Sequence, residues 1–344
     1  MNGKKHLPKY ALCLILYISI CLSLLLIRIN QSSSAKVIRN LSYPVTTKPP
    51  TESYDTPIDT QVIESSLQRI ASVCEKYNKT TSLERKHFFH DPSHNALFCW
   101  IRKVASTSFT KMFAELRGIQ MERNYYKASG FLSPATVEDF LNLVDDMGVF
   151  KFLAVRHPFE RLVSSYRSRI EDNSKYSSQA WIFVPRIFHQ TRPHLFHFNE
   201  TIQSPMQQIF HNNRRLKLVP TFQEFVSWLL TQSEENDDEH WSQYHSHCSI
   251  CQMNFDYVLK VDDELIHEFE NIFTRLNPER REWKLVKLGG TRGGATNFQR
   301  TCDYLSTLTS DTLQRLYQRY KIDFDMFDYS PRVYEACKKT YVLP

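Results

Sequence analysis

The sequence LFCWIRKVASTSFTKMFAEL, residues 97–116, predicts a strand, a short basic loop and a helix. Its beginning, LFCWI, is an apolar run with the length of a buried strand. Arg102 and Lys103 end this run with two positive charges. Small hydroxyl residues that favour a helix N-cap come next, namely Ser106, Thr107 and Ser108. Apolar residues then recur at helical spacing from Phe109 to Leu116.

This arrangement aims free backbone N–H groups and the positive end of a helix at one point, which suits a phosphate or a sulfate. Lys103 adds a mobile full charge beside those groups. An ordinary strand-to-helix turn with an exposed basic pair would have the same residues. On this stretch alone, both interpretations stay open.

The sequence VFKFLAVRHPFERLVSSYRSRIE, residues 149–171, repeats the pattern. An apolar strand over residues 150–155 ends at Arg156, and Pro158 is favoured in the first turn of a helix. Arg156 therefore lies at the edge where open α/β sheets bind ligands. The first two turns of the helix contain groups that can clamp a phosphate: Arg161, Ser164 and Ser165. Two such loops predict a ligand with two separated anionic groups.

Both loops resemble those of the Golgi carbohydrate sulfotransferases. Residues 103–108, KVASTS, are similar to their 5′-phosphosulfate loop, and residues 156–166, RHPFERLVSSY, are similar to their 3′-phosphate loop. The resemblance extends from about Phe98 to the C-terminus. It is closest to the branch that sulfates chondroitin, dermatan and N-acetylgalactosamine-terminated glycans, through His240-Trp241, Cys248-x-x-Cys251, Leu316-Tyr317 and Asp323-Phe324.

The first loop departs from that branch. The branch usually has Pro where this chain has Arg102, Cys where it has Ser106, and Asn-Trp where it has Ser108-Phe109. Residues 105–109, ASTSF, are instead similar to the heparan and uronyl 2-O-sulfotransferases. The resemblance therefore supports the donor site better than the acceptor site.

The resemblance implies an α/β fold, in which a mainly parallel sheet is flanked by helices and the phosphate-binding loop is similar to that of the P-loop kinases. It implies transfer of a sulfuryl group from 3′-phosphoadenosine 5′-phosphosulfate (PAPS) to a hydroxyl of a glycan or proteoglycan, without a metal. The acceptor would be a glycosaminoglycan or another chain that contains N-acetylgalactosamine. The motif G-x-x-x-x-G-K-[ST] is absent from the sequence, which disfavours ATP hydrolysis.

Residue roles follow from the matched loops. Lys103 is expected to hold the bridging oxygen and stabilise the leaving phosphate, and Arg156 with Ser164 is expected to bind the 3′-phosphate. The predicted donor-binding residues are Arg102, Lys103, Val104, Ala105, Ser106, Thr107, Ser108, Arg156, His157, Pro158, Phe159, Glu160, Arg161, Leu162, Val163 and Ser164.

The catalytic base is expected to be His240, because histidine has an unperturbed pKa near neutrality and a sugar hydroxyl needs assistance as a nucleophile. The ring of Trp241 beside it would support the sugar. A surface or packing role for His240 is the competing interpretation. Glu115 or Glu122 would then be the base, since a buried glutamate can also serve.

Two other classes of function stay open from the sequence. The chain would be a non-catalytic lumenal glycan-binding protein if Arg102 in place of Pro marks lost catalysis. It would be a lumenal kinase if Asp262-Asp263 bound a metal, although that pair also fits a helix cap.

The composition agrees with a large folded domain. The chain has 344 residues, of which 42% are hydrophobic, and this is enough for one large α/β domain or two smaller ones. Its net charge of +6 fits an anionic donor and a polyanionic acceptor. The basic excess is too weak and too dispersed to indicate nucleic-acid binding. The sequence leaves the oligomeric state open.

The N-terminal residues predict a single-pass type II protein of the Golgi membrane. Residues 1–9 would be a cytosolic tail, 10–29 a transmembrane signal anchor, 30–75 a stem and 76–344 a lumenal catalytic domain. The apolar segment is long enough to span a bilayer, and lysines precede it, so the positive-inside rule places the C-terminal part in the lumen. A cleaved signal peptide is the alternative.

A lumenal domain makes three acceptor sequons plausible sites of N-glycosylation, at Asn40, Asn78 and Asn199. It also predicts at least one disulfide among six cysteines whose pairing stays open: Cys74, Cys99, Cys248, Cys251, Cys302 and Cys337. A zinc site in HSHCSIC, residues 245–251, is a further interpretation that the oxidising compartment disfavours.

Several other segments carry structural expectations. Residues 133–143 and 310–320 predict helices, the second with Ser310 as its N-cap, and residues 264–276 predict another. Residues 175–215 form either a mobile loop that shapes an acceptor cleft or a packed excursion. Residues 234–239 are acidic and predict a solvated loop. The glycine cluster 289–294 either covers the donor or forms a plain turn.

Overall fold

The computed structural model describes residues 60–79, 81–120, 125–196, 204–261, 291–335 and 337. The predicted tail, membrane span and most of the stem lie outside these ranges, as do Asn40, Glu122, Asn199, Asp262-Asp263 and the helix predicted at 264–276. Within the ranges, the structure has no helix of the length and apolarity that crossing a membrane requires.

Among the residues that the structure describes, the central sheet has four strands in the order β1-β2-β3-β4. The strands are β1 (Phe88–Asp91), β2 (Ala96–Cys99), β3 (Phe150–Val155) and β4 (Tyr257–Lys260). The first pair is antiparallel, and the other two pairs are parallel. Every residue of β2 and β3 is buried, as expected for strands that are covered on both faces. The prediction of a mainly parallel α/β sheet is confirmed, whereas similarity to the P-loop kinases stays a prediction.

Helices surround this sheet. In the described part of the chain they are α1 (Thr60–Tyr77), α2 (Ser106–Leu116), α3 (Tyr125–Leu132), α4 (Val137–Asp145), α5 (Pro158–Tyr166), α6 (Ser178–Thr191), α7 (Pro205–Ile209), α8 (Phe222–Leu229), α9 (His245–Cys248), α10 (Phe298–Leu305), α11 (Ser310–Arg319), α12 (Lys321–Phe327) and α13 (Arg332–Glu335). Short 3₁₀ turns are Arg85–His87, Pro193–Phe196, Glu234–Asn236 and Ile250–Gln252, and a π-helical turn, Arg167–Glu171, directly follows α5.

Pairing of β2 with β3 places the two predicted phosphate loops side by side. Cys99, at the end of β2, is opposite Leu153 on β3, so both strands end on the same edge of the sheet. The loop that contains Lys103 leaves β2 there, and Arg156 leaves β3 beside it. The strand and the helix start predicted on either side of Arg156, at 150–155 and at Pro158, are both confirmed.

Two hydrophobic cores hold this arrangement. The first contains the sheet and α2, and Phe98 lies at its centre, with ring centroids 4.6 Å from Phe109 and 4.8 Å from Phe152. The second contains α5, α6 and α8, and the buried ring of Trp241 belongs to it. The loops that leave the sheet therefore rest on one core, and α5 rests on the other.

Segment 175–215 is a packed excursion in its described part, and the mobile-loop interpretation is wrong there. Most of it is α6, in which Ile187 and Phe188 are completely buried. Pro185 lies inside this helix and obscures its sequence pattern. Because α6 packs on α8, its buried aromatic residues are not available to a sugar.

Two predicted helix starts need correction. The helix predicted at 133–143 begins at Val137, because Thr136 and Asp139 form a capping box. The N-cap of α11 is Thr309 rather than Ser310, since the Thr309 hydroxyl accepts the Thr312 N–H.

The acidic run 234–239 is only partly solvated. The Asp237 carboxylate is buried and pairs with Arg319 at 2.8 Å. Asp238 and Glu239 also face protein groups, as described below, whereas Glu234 and Glu235 are exposed. Arg319 is distant from Asp237 in the sequence, so the local charge pattern could not indicate that the two side chains form an ion pair.

Three disulfides join the six cysteines: Cys74–Cys251, Cys99–Cys248 and Cys302–Cys337. The prediction of disulfide bonding is confirmed. Because Cys248 and Cys251 are both oxidised, their sulfurs are not thiolate ligands for zinc. The bridge from Cys99 anchors the end of β2, immediately before the first loop.

Candidate active site

The first loop has an unusual backbone. Lys103 and Ala105 both have left-handed conformations, with φ of 68° and 50°. Each such residue costs about 1–3 kcal/mol and persists only where its surroundings fix it, which is common at ligand sites. Ala105 is the N-cap of α2, so the prediction of a hydroxyl cap is wrong. Ser106, Thr107 and Ser108 instead form the first turn, and the Ser108 N–H donates to the Ala105 carbonyl at 2.9 Å.

Lys103 points from this loop toward the π-helical turn. Its ammonium donates to the Ser168 hydroxyl oxygen at 2.8 Å. Burial and, after it, the nearby charges of Arg169, Arg156, Lys175 and Arg167 together lower the pKa of Lys103 to about 7. Four cations therefore lie near a lysine whose ammonium donates, among the described residues, to the Ser168 hydroxyl.

Arg156 is held firmly at the end of β3. Its backbone N–H donates to the Tyr244 hydroxyl oxygen at 2.8 Å, and that hydroxyl donates to the Arg156 carbonyl at 2.7 Å. Its guanidinium contacts Glu160 at 3.0 Å and the Thr296 carbonyl. The next residue, His157, caps α5 through its ring nitrogen and packs against Phe324 at 5.2 Å.

The other residues of the second loop mostly serve packing. The side chains of Phe159, Leu162 and Val163 belong to the second core, and Ser164 is buried on the same helix. Burial lowers the pKa of His157 to about 4, so its ring is neutral near pH 7. Side-chain contact of these residues with a donor stays a prediction.

Arg161 is predicted to contact a phosphate of the donor, but its side chain points into the interior of the protein. Its guanidinium is buried and donates to three carbonyls, those of Arg102 at 3.0 Å, Glu239 at 3.1 Å and Ser242 at 2.5 Å. The contact with Arg102 joins the first loop to α5. A phosphate contact for Arg161 stays a prediction that this arrangement disfavours.

The sequence analysis missed the π-helical turn as part of the site. Arg167 donates to the Thr296 hydroxyl at 2.7 Å and to the carbonyls of Arg292 and Gly294. Gly293 has φ of 82°, and a Cβ there would lie 3.6 Å from the Arg167 guanidinium. The described part of the glycine cluster therefore packs on Arg167, next to Lys103. The sequence did indicate further cations at the site, because RSR, residues 167–169, follows the second loop directly.

His240 lies in the interior beside the same cations. Its Nδ1 is 2.5 Å from the Asp238 carboxylate, and its Nε2 is buried with no hydrogen-bond partner among the described residues. Burial lowers the pKa of His240 to about 4, Asp238 opposes that shift, and Arg169 and Arg102 reinforce it. Arg169 therefore acts on both Lys103 and His240.

Trp241 does not support a sugar in this structure. Its ring is 1% exposed and packs against Phe183 at 4.9 Å and Phe225 at 5.5 Å. That expectation was wrong. The sequence His-Trp does not indicate whether the tryptophan ring faces the interior of the protein or its surface. Glu115, the competing base, is on an open face of α2 and pairs with Lys111 at 3.5 Å.

Two further predicted features can be placed. Asn78 is exposed just after α1 and has a left-handed φ of 44°. Within the described residues, no group of three or more His, Cys, Asp or Glu side chains is arranged to hold a metal ion.

Residues 86–330 match the Sulfotransferase family, and this span includes both loops and His240. The chain therefore belongs to the sulfotransferase family. Among its relatives is carbohydrate sulfotransferase 11 of Mus musculus, 27% identical over 273 residues that cover 76% of this chain and 72% of the relative. No solved structure matches the chain.

Two further relatives have the same general name. Carbohydrate sulfotransferase 9 of Homo sapiens is 24% identical over 326 residues, which cover 88% of this chain and 69% of the relative. Carbohydrate sulfotransferase 8 of Mus musculus is 26% identical over 272 residues, which cover 75% of this chain and 61% of the relative. The resemblance to the carbohydrate sulfotransferases is thus confirmed.

The lowered pKa of Lys103 predicts proton uptake when an anion binds. At pH 8 a lysine of pKa near 7 is mostly neutral, and a bound anion that raises this pKa recharges it, with uptake of up to about 0.9 proton. Calorimetry of 3′-phosphoadenosine 5′-phosphate (PAP) binding, in buffers of different ionisation enthalpy, measures this number. The second pKa of a phosphate monoester is about 6, so at pH 8 the phosphates of PAP are already deprotonated and contribute little to the measured proton uptake.

The control is Lys103→Arg, which keeps a positive charge that does not titrate. We expect this variant to bind PAP with almost no proton uptake. Equal uptake in the wild type and in Lys103→Arg would show that another group titrates.

Proposed function

We propose that the chain is a PAPS-dependent carbohydrate O-sulfotransferase, which transfers a sulfuryl group from PAPS to a hydroxyl of a glycan. The observation that carries this proposal is the pair of adjacent strand ends, from which Lys103 and Arg156 emerge into one cluster of cations. The family match over 86–330 supports the same reaction class. It gives no support to the two alternatives, a non-catalytic glycan-binding protein and a kinase.

The donor would bind with its two anionic ends at the two loops. The 5′-phosphosulfate would lie at the first turn of α2, where the positive end of the helix dipole favours an anion. The 3′-phosphate would lie near Arg156 and Ser164 at the start of α5. An anion placed there relieves the mutual repulsion of Lys103, Arg156, Arg167, Arg169 and Lys175.

Transfer breaks the bond between sulfur and the 5′-phosphate oxygen and forms a bond between sulfur and the acceptor oxygen. The electron pair of the broken bond stays on the phosphate oxygen, where negative charge increases. Lys103, once protonated in the presence of the donor, would donate to that oxygen. Such placed charge is worth most in a site from which water is excluded.

The acceptor hydroxyl must lose its proton to a base. His240 would be this base, because Asp238 accepts the Nδ1 proton and leaves the lone pair on Nε2 free. The low pKa keeps the ring neutral before the donor binds, which is the protonation state that a base requires. Because Nε2 is buried, the acceptor would have to reach the interior side of the first loop.

We also propose that the protein resides in the Golgi membrane with its catalytic domain in the lumen. Three disulfides within the catalytic part support an oxidising compartment. The charge distribution around the predicted anchor, at residues 10–29, supports a cytosolic N-terminus. Protection of the C-terminus from protease in intact microsomes tests the orientation, and digestion there would refute it.

The proposed activity predicts sulfate transfer by the purified full chain. With labelled PAPS and a panel of glycans, the wild type should label at least one glycan, and ATP should not replace PAPS. Lys103→Ala should lower turnover by about 100-fold or more, as expected for a lost donor to a developing charge. Lys111→Ala, on the exposed part of α2, is the matched control and should retain activity.

Labelling of no glycan by a protein that binds PAP would favour the non-catalytic alternative. Phosphate transfer from ATP would favour the kinase.

Arg156 is predicted to select the 3′-phosphorylated nucleotide. Loss of this charge-assisted contact should weaken PAP by about 1.5–3 kcal/mol and leave adenosine 5′-phosphate nearly unaffected. Calorimetry of both nucleotides with the wild type and Arg156→Ala measures the difference. If the substitution weakens both nucleotides equally, Arg156 does not contact the 3′-phosphate.

His240 is predicted to produce the acidic limb of the pH–rate profile. At saturating donor, turnover of the wild type should fall as His240 is protonated, and His240→Ala should lose this limb together with about 100-fold or more in turnover. PAP affinity should stay normal in the variant. His189→Ala, an exposed histidine on α6, is the control. An unchanged profile in His240→Ala would exclude His240 and direct attention to the carboxylates.

A further inference from the structure

A basic turn protrudes from the surface outside both donor loops. It is the sequence HNNRRLK, residues 211–217, and all of its side chains except Leu216 are exposed. Its residues line a surface depression of about 490 Å³: His211, Asn212, Asn213, Arg215 and Lys217. The sequence contains no acidic residue from 201 to 223, so this stretch provides no countercharge of its own.

Hydrogen bonds and buried side chains hold the backbone of this basic turn before any ligand binds. Phe210 and Leu216 form an antiparallel bridge, and both side chains are buried in the second core. The His211 N–H donates to the Arg215 carbonyl and the Arg214 N–H to the His211 carbonyl, each at 2.8 Å. A ligand that binds here therefore loses little free energy to ordering of the protein backbone.

The cations of the basic turn contact neutral groups. The Arg214 guanidinium lies 5.1 Å from the centre of the Trp181 ring. Arg215 donates to the Asn173 carbonyl at 2.9 Å, and Lys217 donates to the Gln207 carbonyl at 2.7 Å. These contacts orient the side chains without neutralising them, so their charges remain available to an anion.

The basic turn is connected to the active site through Lys175. Arg215 is bonded to Asn173, and two residues span at most about 7 Å, so the exposed Lys175 lies close by. Lys175 in turn lowers the pKa of Lys103. Cations thus lie on the way from Lys103 through Lys175 to the basic turn, and the carboxylate of Asp172, which interacts with Lys175, balances part of their charge.

We propose that the basic turn, together with Lys175, binds the acceptor as an acidic polysaccharide chain that extends away from the transfer site. This inference rests on the proposed sulfotransferase function. The cations are spread along the surface rather than converging on one point, which suits repeated charges on a polymer better than a single small anion. Each exposed contact is weak, and several linked contacts add up.

The turn variant Arg214→Gln/Lys217→Gln tests the proposal, because it removes two charges and leaves the bond from Arg215 to Asn173. The charge-matched control is Lys76→Gln/Arg315→Gln, on helices α1 and α11, where both cations have carboxylate partners. The probes are labelled chondroitin, as an acidic polymer, and labelled dextran, as a neutral one. Fluorescence anisotropy of the full chain measures binding at several salt concentrations.

We expect the wild type to bind chondroitin in preference to dextran, with an affinity that falls as salt is added. The turn variant should bind chondroitin about tenfold more weakly, and its KM for chondroitin should rise by a similar factor. PAP affinity should be the same in the wild type, the turn variant and the control. The control should bind chondroitin as the wild type does.

Equal chondroitin binding by the turn variant and the wild type would overturn the proposal, and so would a wild type that does not distinguish chondroitin from dextran. Turn-dependent chondroitin binding without sulfate transfer from PAPS to any glycan would instead refute the proposed function and leave the polymer site supported. The two failures are therefore distinguishable.

Discussion

The buried guanidinium of Arg161 is the contact on which the geometry of the site depends. A buried charge is tolerated only where several acceptors surround it, and here those acceptors are backbone carbonyls from separate segments. The acceptor at Arg102 belongs to the first loop, while those at Glu239 and Ser242 flank the segment that contains His240. Arg161 itself lies on α5, which begins with the second loop. One side chain thus connects both predicted phosphate loops and the segment of the proposed base.

This fixed frame is needed because several cations lie near one another in the site, and the contact of Arg156 with Glu160 balances only part of their charge. Lys103, Arg156, Arg167, Arg169 and Lys175 lie close enough for the last four to lower the pKa of the first. Such repulsion opposes folding, and two left-handed residues in the same loop add to the cost. The disulfide from Cys99, the aromatic core around Phe98 and the hydrogen bonds of Arg161 offset it. An anionic donor would then be bound partly because it removes repulsion that the empty site retains.

Local patterns predicted those parts of the fold that local interactions determine. The strand at 150–155, the helix start at Pro158 and the helix at 310–319 all follow from apolar runs, proline and spacing. The features that the sequence could not reveal depend on distant partners. The pairing of Asp237 with Arg319 and the burial of Trp241 are of this kind. Helix α6 was missed for a local reason, since Pro185 breaks the expected pattern.

Electrostatic linkage connects the two proposed catalytic groups. Burial lowers the pKa of both Lys103 and His240, and the charge of Arg169 acts on both in the same direction, so both groups tend toward the neutral form in the unliganded site. A donor with several negative charges acts on both in the opposite direction, because an anion favours every protonated neighbour. For Lys103 this change supplies the cation that a leaving phosphate requires. For His240 it raises the basicity of a ring that burial had made a weak base. The same charge cluster that is proposed to bind the donor would therefore also favour the protonation states that transfer requires.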